Sequence, residues 1–570
     1  MPGQACLAMS ADHKLRVVLC WHMHQPQYRE PVSGEYLAPW SYLHGLKDYT
    51  DMAAHLENQP GAVAVVNFSP VLLEQIEDYC AQLEDFFAGR GNLRDPLLAA
   101  LAKPELIQAG ESRDNLMRVC RELARPRMLE RFDALHPLVQ HAEWILAHPD
   151  ASASVEADFM GDLLVWCHLA WLGETVRRTD PRVQRLVQKT QHYSADDRRE
   201  LLLVMHELLR GIVPRYRALA KGGRIELSMS PWAHPILPLL LDFNAAREAH
   251  PDLPLPVAAS YPEGAARARW HIEQARRSHA QRFAAPPAGC WPSEGALSAA
   301  ALTLLDASGF AWVASGQQVL MHSLGVTGAS SDVVHRPYRL GEHKVVVFFR
   351  DDKLSDLIGF EYKTWKADDA VADLITRLAA IAAESHTDPG RVVSIVLDGE
   401  NAWEHYPDNG YHFLSAVYRA LVQDDRFRLT TFSQCVNDAG VPVRPLTKLV
   451  AGSWVKGNLD TWIGHPDKNR AWDLLVEARR HCDAALAAGR LDAVQRERLE
   501  LQLAVCEGSD WFWWPGDENQ AASVARMECL YRMQLTGLYR LMRETPSDEL
   551  SQPFSRGSVQ GSGGTMRPAQ

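Results

Sequence analysis

The sequence predicts an α/β protein whose core is a barrel of parallel strands, and three observations lead to this prediction. Short apolar runs recur along the chain, and most are continuously apolar, as expected for parallel strands buried on both faces. Helical patterns such as Leu297–Ser308 and Asp369–Glu384 separate these runs. Polar and aromatic residues follow the runs all along the chain. Because a barrel collects its strand ends at one mouth, we favour a barrel over a doubly wound sheet.

Seven runs are predicted as strands. In chain order they are Leu15–Trp21, Ala62–Phe68, Arg224–Ser228, a stretch that closes at Trp291, Phe310–Ser315, His343–Phe349 and Arg391–Leu397. Between the second and third runs, residues from about 71 to 220 carry Leu, Val and Ile at helical spacing. This connection is too long for a simple crossover, so it is predicted to be a large helical insertion.

The chain divides into four predicted segments. Residues 1–14 form an N-terminal leader, and residues 15–445 form the barrel with its insertion. Residues 446–545 carry helical patterns and are expected to form a helical domain that completes the cleft. Residues 546–570 are rich in Ser, Gly, Pro and Gln with little apolar content, which predicts a disordered tail.

Composition argues against several classes of function. The net charge of −12 disfavours a nucleic-acid or anionic-membrane partner, because both require a basic surface. Neither an 18-residue apolar stretch nor the apolar core of a secretory signal is found. The ten cysteines are scattered without a C-x-x-C pair, which disfavours a cysteine zinc site. We therefore expect a cytoplasmic protein with free thiols; the sequence gives no signal for its oligomeric state.

Carboxylates at predicted strand ends indicate cleavage of a sugar bond. Asp398 and Glu400 follow one apolar run and, two residues apart, would face the same way, while Glu294 follows Trp291 after another run. Retaining glycoside hydrolysis uses two carboxyl groups about 5–5.5 Å apart, which two strands of one barrel can supply. Glu294 suits the nucleophile if hydrogen bonds keep it ionised. Asp398 suits the acid if nearby negative charge raises its pKa. The alternative is that both residues cap local structure.

Two further constellations suggest substrate contacts. His22 and His24 form an H-x-H pair after the first run, which could bind sugar hydroxyls, begin a metal site or serve a structural role. Glu226 lies inside the third run and is followed by Trp232 and His234. A buried Glu226 needs a partner, so it is either a substrate-ordering acid or half of an ion pair with an Arg.

Tryptophan is the outlier of the composition, with 17 copies. Several lie among polar residues, in the loop Trp454–Trp462, which includes Asp460, and in the patch Glu507–Trp514. Clustered Trp side chains suit stacking on the apolar face of a sugar ring, although each could equally fill the core or dock a domain.

These runs together resemble the five conserved regions of glycoside hydrolase family 57, the retaining enzymes that act on α-glucans. The matching runs, in the order of the family, are His-Gln-Pro from His24, Gly-x-x-Glu-Leu-Ser from Gly223, Trp-Pro-Ser-Glu from Trp291, Leu-Asp-Gly-Glu-Asn from Leu397, and the Trp-rich loop with Asn469–Trp472. The resemblance spans residues from about 15 to 545. It implies a distorted (β/α)7 barrel with a helical domain, an α-glucan substrate, and chemistry that needs no metal or other cofactor.

The resemblance also implies roles for individual residues. Glu294 would be the nucleophile and Asp398 the general acid/base. The predicted substrate contacts, from the resemblance and the residues around it, are His22, His24, Glu226, Trp232, His234, Trp291, Glu400, Trp403, Asp460 and Trp462. Within the family, the loop and the patch look most like those of α-amylase and amylopullulanase members, although His465 stands where an acid is expected.

Three hypotheses follow for the function. The first is a retaining α-glucan hydrolase for α-1,4 bonds, with α-1,6 bonds as a further candidate. The same site would serve a 4-α-glucanotransferase or branching enzyme if a second sugar replaced water. The second is a metal-dependent α-mannosidase or polysaccharide deacetylase that uses the H-x-H pair. The third is a non-catalytic glucan-binding protein.

Overall fold

A curled, mostly parallel sheet forms the centre of the structure, a computed structural model that describes residues 14–108, 110–148, 156–328, 330–385, 390–561 and 564–569. Its strands are β1 (Leu15–Met23), β2 (Ala64–Phe68), β3 (Ile225–Met229), β4 (Gly289–Cys290), β5 (Trp312–Ser315), β6 (Tyr338–Leu340), β7 (Val346–Phe349), β8 (Val392–Asp398), β9 (Phe427–Leu429) and β10 (Arg444–Leu446). The order across the sheet is β10-β6-β7-β5-β4-β3-β2-β1-β8, and β9 pairs with β1. Only the β6–β7 pair is antiparallel among these strands.

The predicted fold class is confirmed, because the seven predicted runs correspond to β1–β5, β7 and β8, which lie side by side along the sheet. The sheet also curls so that its two sides approach. The backbone N–H of Asp351, just after β7, donates to the carbonyl of Ser394 in β8 at 2.8 Å, and Arg350 Nε donates to the carbonyl of Val396 at 2.8 Å. These bonds replace a regular ladder at the seam and leave a distorted barrel.

The register of the strands places the barrel interior in layers. Cys20, Val65, Glu226 and Val396 occupy neighbouring positions across β1, β2, β3 and β8. A second layer, two residues nearer the carboxyl ends, comprises His22, Asn67, Ser228 and Asp398. Because side chains alternate along a strand, both layers face the same way. The first layer belongs to an apolar interior, and the second begins the polar mouth.

Helices surround the sheet. In the connection from β2 to β3 they are α3 (Pro70–Phe87), α4 (Pro96–Ala102), α5 (Glu111–Leu123), α6 (Pro126–Arg131), α7 (Leu135–Ala147), α8 (Ala157–Ala170), α9 (Glu174–Thr179), α10 (Pro181–Lys189) and α11 (Ala195–Lys221), preceded by α1 (Trp40–His44) and α2 (Thr50–Asn58). Between the later strands lie α12 (Leu237–Leu241), α13 (Gly264–Phe283), α14 (Ala299–Ala307), α15 (Gln317–Leu324), α16 (Ser331–Val334), α17 (Asp352–Asp356), α18 (Ala367–Ser385), α19 (Tyr411–Gln423) and α20 (Phe432–Val436).

The last helices form a layer beside the barrel mouth. They are α21 (Pro466–Ala487), α22 (Ala493–Cys506), α23 (Asp510–Trp513) and α24 (Ala521–Met542). A buried carboxylate, Glu507, joins this layer to the barrel: it accepts hydrogen bonds from Arg267 and His271 of α13, and from Tyr261. The Arg267 guanidinium and His271 hold the pKa of Glu507 far below its usual range, against the opposing effect of burial. No helix among the described residues has the length and apolar character needed to cross a bilayer.

The described residues include little of the predicted N-terminal leader but most of the predicted C-terminal tail. Of the predicted leader, only Lys14 lies within the described residues. The described part of the predicted disordered tail is folded instead. Residues Asp548–Ser551 form a helical turn, Ser558 pairs with Gln520, and Ala569 is 2% exposed. Leu550, Phe554 and Met566 pack against the hydrophobic core, and hydrogen bonds add to these contacts. So few apolar residues in a segment rich in Ser and Gly did not reveal its order.

Candidate active site

A cavity of about 410 Å³ opens at the carboxyl ends of the barrel strands. The barrel contributes a set of polar side chains to its lining: His22, His24, Glu294, Arg350, Asp398 and Glu400. The opposite side consists largely of residues that follow the barrel: Trp454, Val455, Asp510, Trp513, Trp514, Gln520, Arg526, Met527, Thr565, Met566, Arg567 and Ala569. The two predicted catalytic carboxylates therefore share one cavity.

Glu294 is fixed by the turn that follows β4. Its backbone has φ 59°, a left-handed conformation that a non-glycine residue adopts at a cost of about 1–3 kcal/mol and that is common at functional sites. The indole Nε1 of Trp454 donates to Glu294 Oε2 at 2.9 Å, and the backbone N–H of Trp454 donates to the Glu294 carbonyl at 3.0 Å. The carboxylate therefore has a defined direction before any substrate arrives.

Asp398 is the last residue of β8, opposite His22 in the parallel register with β1. Asn401 Nδ2 donates to Asp398 Oδ2 at 2.9 Å. The strand thus supplies the position of the carboxylate, and the turn after it supplies the group that orients it. Local capping, the alternative for these acids, does not explain why both enter one cavity.

Burial raises the pKa values of both carboxyl groups. The pKa of Glu294 rises to about 8, first through burial and then through the negative charge of Asp398, against the hydrogen bond from Trp454. The pKa of Asp398 rises to about 6, first through burial, against the hydrogen bond from Asn401. The pair therefore shares one proton near neutral pH. The sequence predicts that Asp398 carries this proton in the reactive state, and that assignment stays a prediction.

Glu400 adds a third acid to the cavity. Burial raises its pKa well above the ordinary value, and the charges of Asp398 and Asp48 raise it further. In its protonated form Glu400 can donate a hydrogen bond to a sugar hydroxyl as well as accept one.

Three histidines lie against one another beside the carboxylates. His24 and His234 stack with ring centroids 3.9 Å apart, and His22 Nε2 lies 3.1 Å from His234 Nε2. Burial and the neighbouring imidazoles lower the pKa of His22 to about 3 and that of His234 well below its usual range. Both rings are therefore neutral and act as hydrogen-bonding groups rather than as cations.

The partners of these rings fix their tautomers. Asn67 Oδ1, 2.6 Å from His22 Nδ1, can only accept, so His22 carries its proton on Nδ1 and His234 donates from Nε2 to His22. His24 donates from Nε2 to the Asp510 carboxylate at 3.1 Å, and its Nδ1 lies 2.8 Å from Ser69 Oγ. Each of these ring nitrogens is thus already engaged.

One group among the described residues has the spacing of metal ligands: His24, His234 and Asp510, with candidate ligand atoms within 4.8 Å of one another. A metal ion would need a free lone pair on each imidazole. In the present arrangement the Nε2 atoms of both rings carry protons, and the rings stack face to face instead of converging on a centre. The group fits a hydrogen-bonded cluster better than a metal site.

The predicted contacts divide into three groups by their place in the structure. His22, His24 and Glu400 line the cavity. His234 and Trp291 lie directly behind the lining: His234 Nδ1 is 3.8 Å from Glu294 Oε1, and Trp291 packs its edge on Trp454 at 5.3 Å. The remaining five do not line the cavity: Glu226, Trp232, Trp403, Asp460 and Trp462.

Glu226 lies one layer too deep in the barrel for substrate contact. Its Oε1 accepts hydrogen bonds from Trp312 Nε1 and from Ser433 Oγ of α20, each at 2.6 Å, and its Oε2 accepts from the Ser433 backbone N–H at 3.0 Å. Helix α20 also packs Phe432 against Trp312, so it plugs the end of the barrel away from the cavity. The partner that a buried Glu226 requires is this helix, not a sugar or an Arg.

The other four residues outside the lining make structural contacts. Trp232 donates to Glu74 at 3.0 Å, and Trp403 donates to the Gly399 carbonyl at 2.9 Å beneath the turn that follows β8. Asp460 lies 2.9 Å from the His250 ring, and Trp462 is fully buried beside Trp513. The structure thus gives these four residues structural partners, and their contact with substrate stays a prediction.

Some cavity residues escaped the sequence reasoning. Arg350 follows β7 as Glu294 follows β4, so the strand-end rule would have found it. Its guanidinium bonds to Asp352 and Asp356 and lies 5.5 Å over the Trp454 ring. Arg567 had no comparable signal, because it lies in a segment predicted to be disordered.

Comparisons with known proteins agree with this geometry. The model of glycosyl hydrolase family 57 matches residues 18–446. A branching enzyme from Thermococcus kodakaraensis is similar in structure, with a TM-score of 0.59, 14% identity and coverage of 93% of this chain and 90% of the other. The corresponding values for the α-amylase AmyC from Thermotoga maritima are 0.55, 12%, 93% and 93%. For a branching enzyme from Pyrococcus horikoshii they are 0.55, 14%, 98% and 100%. No protein of curated function matches by sequence.

Proposed function

Because this chain belongs to glycosyl hydrolase family 57, we propose that it cleaves α-glucosidic bonds with retention, using Glu294 as nucleophile and Asp398 as general acid/base. The observation that carries the proposal is the pairing of these carboxyl groups in one buried cavity, where together they hold a single proton near neutral pH. Double displacement needs that state: one carboxylate to attack and one carboxylic acid to protonate the leaving group.

The first step needs an ionised Glu294 and the shared proton on Asp398. Glu294 bonds to the anomeric carbon while Asp398 gives its proton to the glycosidic oxygen, and the leaving sugar departs as an alcohol. The hydrogen bond from Trp454 to Glu294 Oε2 favours the ionised form of Glu294 and so favours this distribution of the proton.

The second step regenerates the enzyme. Asp398, now ionised, removes a proton from water as the water oxygen attacks the anomeric carbon, and the bond to Glu294 breaks. Two inversions give net retention. His22, His24 and Glu400 line the same cavity and are suited to hold sugar hydroxyls in place during both steps.

The α-glucan substrate is proposed from the family and from its relatives. The similar structures are of enzymes named branching enzyme and α-amylase, and another, with a TM-score of 0.50, is named 4-α-glucanotransferase. We propose hydrolysis of α-1,4 bonds as in the α-amylase and amylopullulanase members, with α-1,6 bonds as a second linkage.

Transfer to a second sugar is the alternative outcome of the same chemistry. One observation favours it: Trp454, Trp513, Trp514 and Met566 line the same cavity as the catalytic pair. Aromatic and apolar side chains there could hold an acceptor sugar and compete with water for the glycosyl group.

Product analysis tests the proposal. The purified protein is incubated with maltoheptaose, pullulan and amylose, with and without EDTA, and the products are separated by chromatography. Shorter maltodextrins support hydrolysis, and products longer than maltoheptaose support transfer. Loss of activity in EDTA would favour the metal-dependent enzyme, and binding without turnover would favour a non-catalytic protein. Glu294→Gln should abolish turnover, whereas Glu342→Gln, at an exposed position, should not.

We further propose a barrel over residues 15–445, a helical domain over 446–545 and a cytoplasmic location. The nine cysteines in the described part of the chain are unpaired, and most are buried, which suits a reducing compartment. Fractionation of cells that produce the protein would test the location.

A further inference from the structure

The segment Gly564–Ala569, which we call the strap, forms part of the cavity wall. Thr565, Met566, Arg567 and Ala569 all line the cavity with the catalytic carboxylates. Neither the family match, which ends at residue 446, nor the sequence patterns pointed to this segment.

Both ends of the strap are anchored by hydrogen bonds. At its start, Trp513 Nε1 of α23 donates to the Gly564 carbonyl at 3.0 Å. At its end, the Ala569 N–H donates to Asp356 Oδ2 at 2.9 Å, and the Ala569 carbonyl accepts from the Lys456 N–H at 3.0 Å. Asp356 also binds the cavity residue Arg350 through Oδ1 at 2.7 Å. The strap thus runs from the helical layer to the barrel loops.

Arg567 fixes the middle of the strap. Its guanidinium lies 3.0 Å from Glu518 Oε1, donates to Asn519 Oδ1 at 3.0 Å and sits 4.5 Å over the ring of Trp513. Its side chain is only 11% exposed. The guanidinium therefore occupies a face of Trp513 that a sugar ring could otherwise use for stacking.

The volume of the cavity is consistent with Arg567 covering Trp513. A cavity of about 410 Å³ is near the lower end of the range of about 300–1,000 Å³ for small-ligand pockets. With the strap in place, the cavity suits a short oligosaccharide better than a long chain that continues over Trp513.

From these contacts we propose that the strap sets the length of glucan that the site accepts, with Arg567 as its specificity-determining residue. The inference rests on the proposed α-glucan activity. With Arg567 over Trp513, glucose units beyond a short oligosaccharide gain no contact. Without it, the face of Trp513 becomes a further sugar-binding surface.

Binding measurements without turnover test this directly. In a Glu294→Gln background, the dissociation constants of maltotriose and maltoheptaose are measured by calorimetry for the parent, for Arg567→Ala and for Met566→Ala. Arg556→Ala is the matched control, because Arg556 is an exposed arginine of the same terminal segment outside the cavity lining. Thermal unfolding of each variant confirms that it is folded.

The parent and the Arg556→Ala control should bind the two sugars with similar affinity. Arg567→Ala should bind maltoheptaose about tenfold more tightly than the parent does, since one gained sugar contact is worth about that factor, while maltotriose is unchanged. Met566→Ala, which keeps Arg567 in place, should give a smaller gain. The inference would be overturned if folded Arg567→Ala kept the parent's ratio of the two dissociation constants, or if it lost the same amount of affinity for both sugars.

The inference about the strap and the proposed catalytic function can be rejected independently of each other. If the wild type turns over maltoheptaose but Arg567→Ala leaves the ratio of the two dissociation constants unchanged, only the inference about the strap is rejected. Selective tightening in Arg567→Ala without wild-type turnover rejects only the catalytic proposal. Failure of every variant to bind either sugar rejects the inference as well.

Discussion

At the catalytic pair, the pKa values of about 8 for Glu294 and about 6 for Asp398 belong to two groups that share one buried cavity. What matters for catalysis is therefore the protonation of the pair rather than of either residue alone. Below about pH 6 both groups are protonated and there is no nucleophile. Above about pH 8 both are ionised and there is no acid.

This ordering predicts a bell-shaped pH profile. For the wild type, kcat/KM on maltoheptaose should be greatest between about pH 6 and pH 8 and fall about tenfold per pH unit on either side, because the singly protonated pair is lost in each direction. The profile is measured from initial rates between pH 4 and pH 10. A rate that still rises as the pH falls below 5 would contradict a catalytic pair that shares one proton.

A substitution at Glu226 tests whether this residue has a structural role or contacts the substrate. Glu226→Gln should leave the KM for maltoheptaose unchanged and lower the melting temperature, because the charge that accepts hydrogen bonds from Ser433 and Trp312 is lost, at a cost of about 1–3 kcal/mol. Glu400→Gln, which alters an acid inside the cavity, serves as the comparison and should lower kcat/KM. A large increase in KM for Glu226→Gln would restore its predicted role as a substrate contact.

The sequence predicted the positions of some of these residues but not of others. Position after an apolar run found Glu294 and Asp398, because parallel strands deliver their ends to one mouth. The same reasoning misplaced Glu226, since alternation along a strand fixes the face of a side chain but not its depth in the barrel. The Trp residues were ambiguous because packing and sugar stacking favour the same side chain.

At the scale of elements, the buried charge of Glu507 holds the helical layer to the barrel. Glu507→Gln should lower the free energy of unfolding at pH 7 by about 3–5 kcal/mol, because Arg267 of α13 is then left buried without its counter-charge. The change is read as a fall in the midpoint of thermal or urea unfolding. Glu497→Gln, a change at an exposed position of helix α22, is the control and should have little effect.

The pH dependence of stability tests separately whether Glu507 is ionised in the folded protein. The pKa of Glu507 is lower in the folded state than the ordinary value of about 4.3, so its contribution is present above that value and is lost as the pH falls below it. The wild type should therefore lose more stability than Glu507→Gln between pH 5 and pH 3. Equal losses would mean that Glu507 is not ionised in the folded protein.

The elements themselves were predictable to different degrees. Most of the seven predicted strands could be recognised because continuous apolar runs of about four or more residues are buried on both faces of a parallel sheet. Strand β4 has only two residues and was located through the Trp and the Glu that follow it. Strands β6, β9 and β10 have three residues each, which leaves no pattern to detect. The strap was missed because its order comes from specific bonds to Trp513, Glu518 and Asp356, which composition does not record.

For the whole molecule, the cavity lies between two parts of the chain. The barrel supplies Glu294 and Asp398, while the segments after it supply Trp454, the aromatic residues of α23 and the strap. The site is therefore complete only when the barrel, the helical layer and the strap are assembled together.

The most direct test of the central claim is to trap the covalent intermediate. A 5-fluoro-α-glucosyl fluoride, which slows both steps but spares the first through its good leaving group, is incubated with the wild type, and the digested protein is sequenced by mass spectrometry. The account predicts a single glucosyl ester, on Glu294, and none in Glu294→Gln. A label on Asp398, or an enzyme that turns the reagent over without forming any ester, would contradict it.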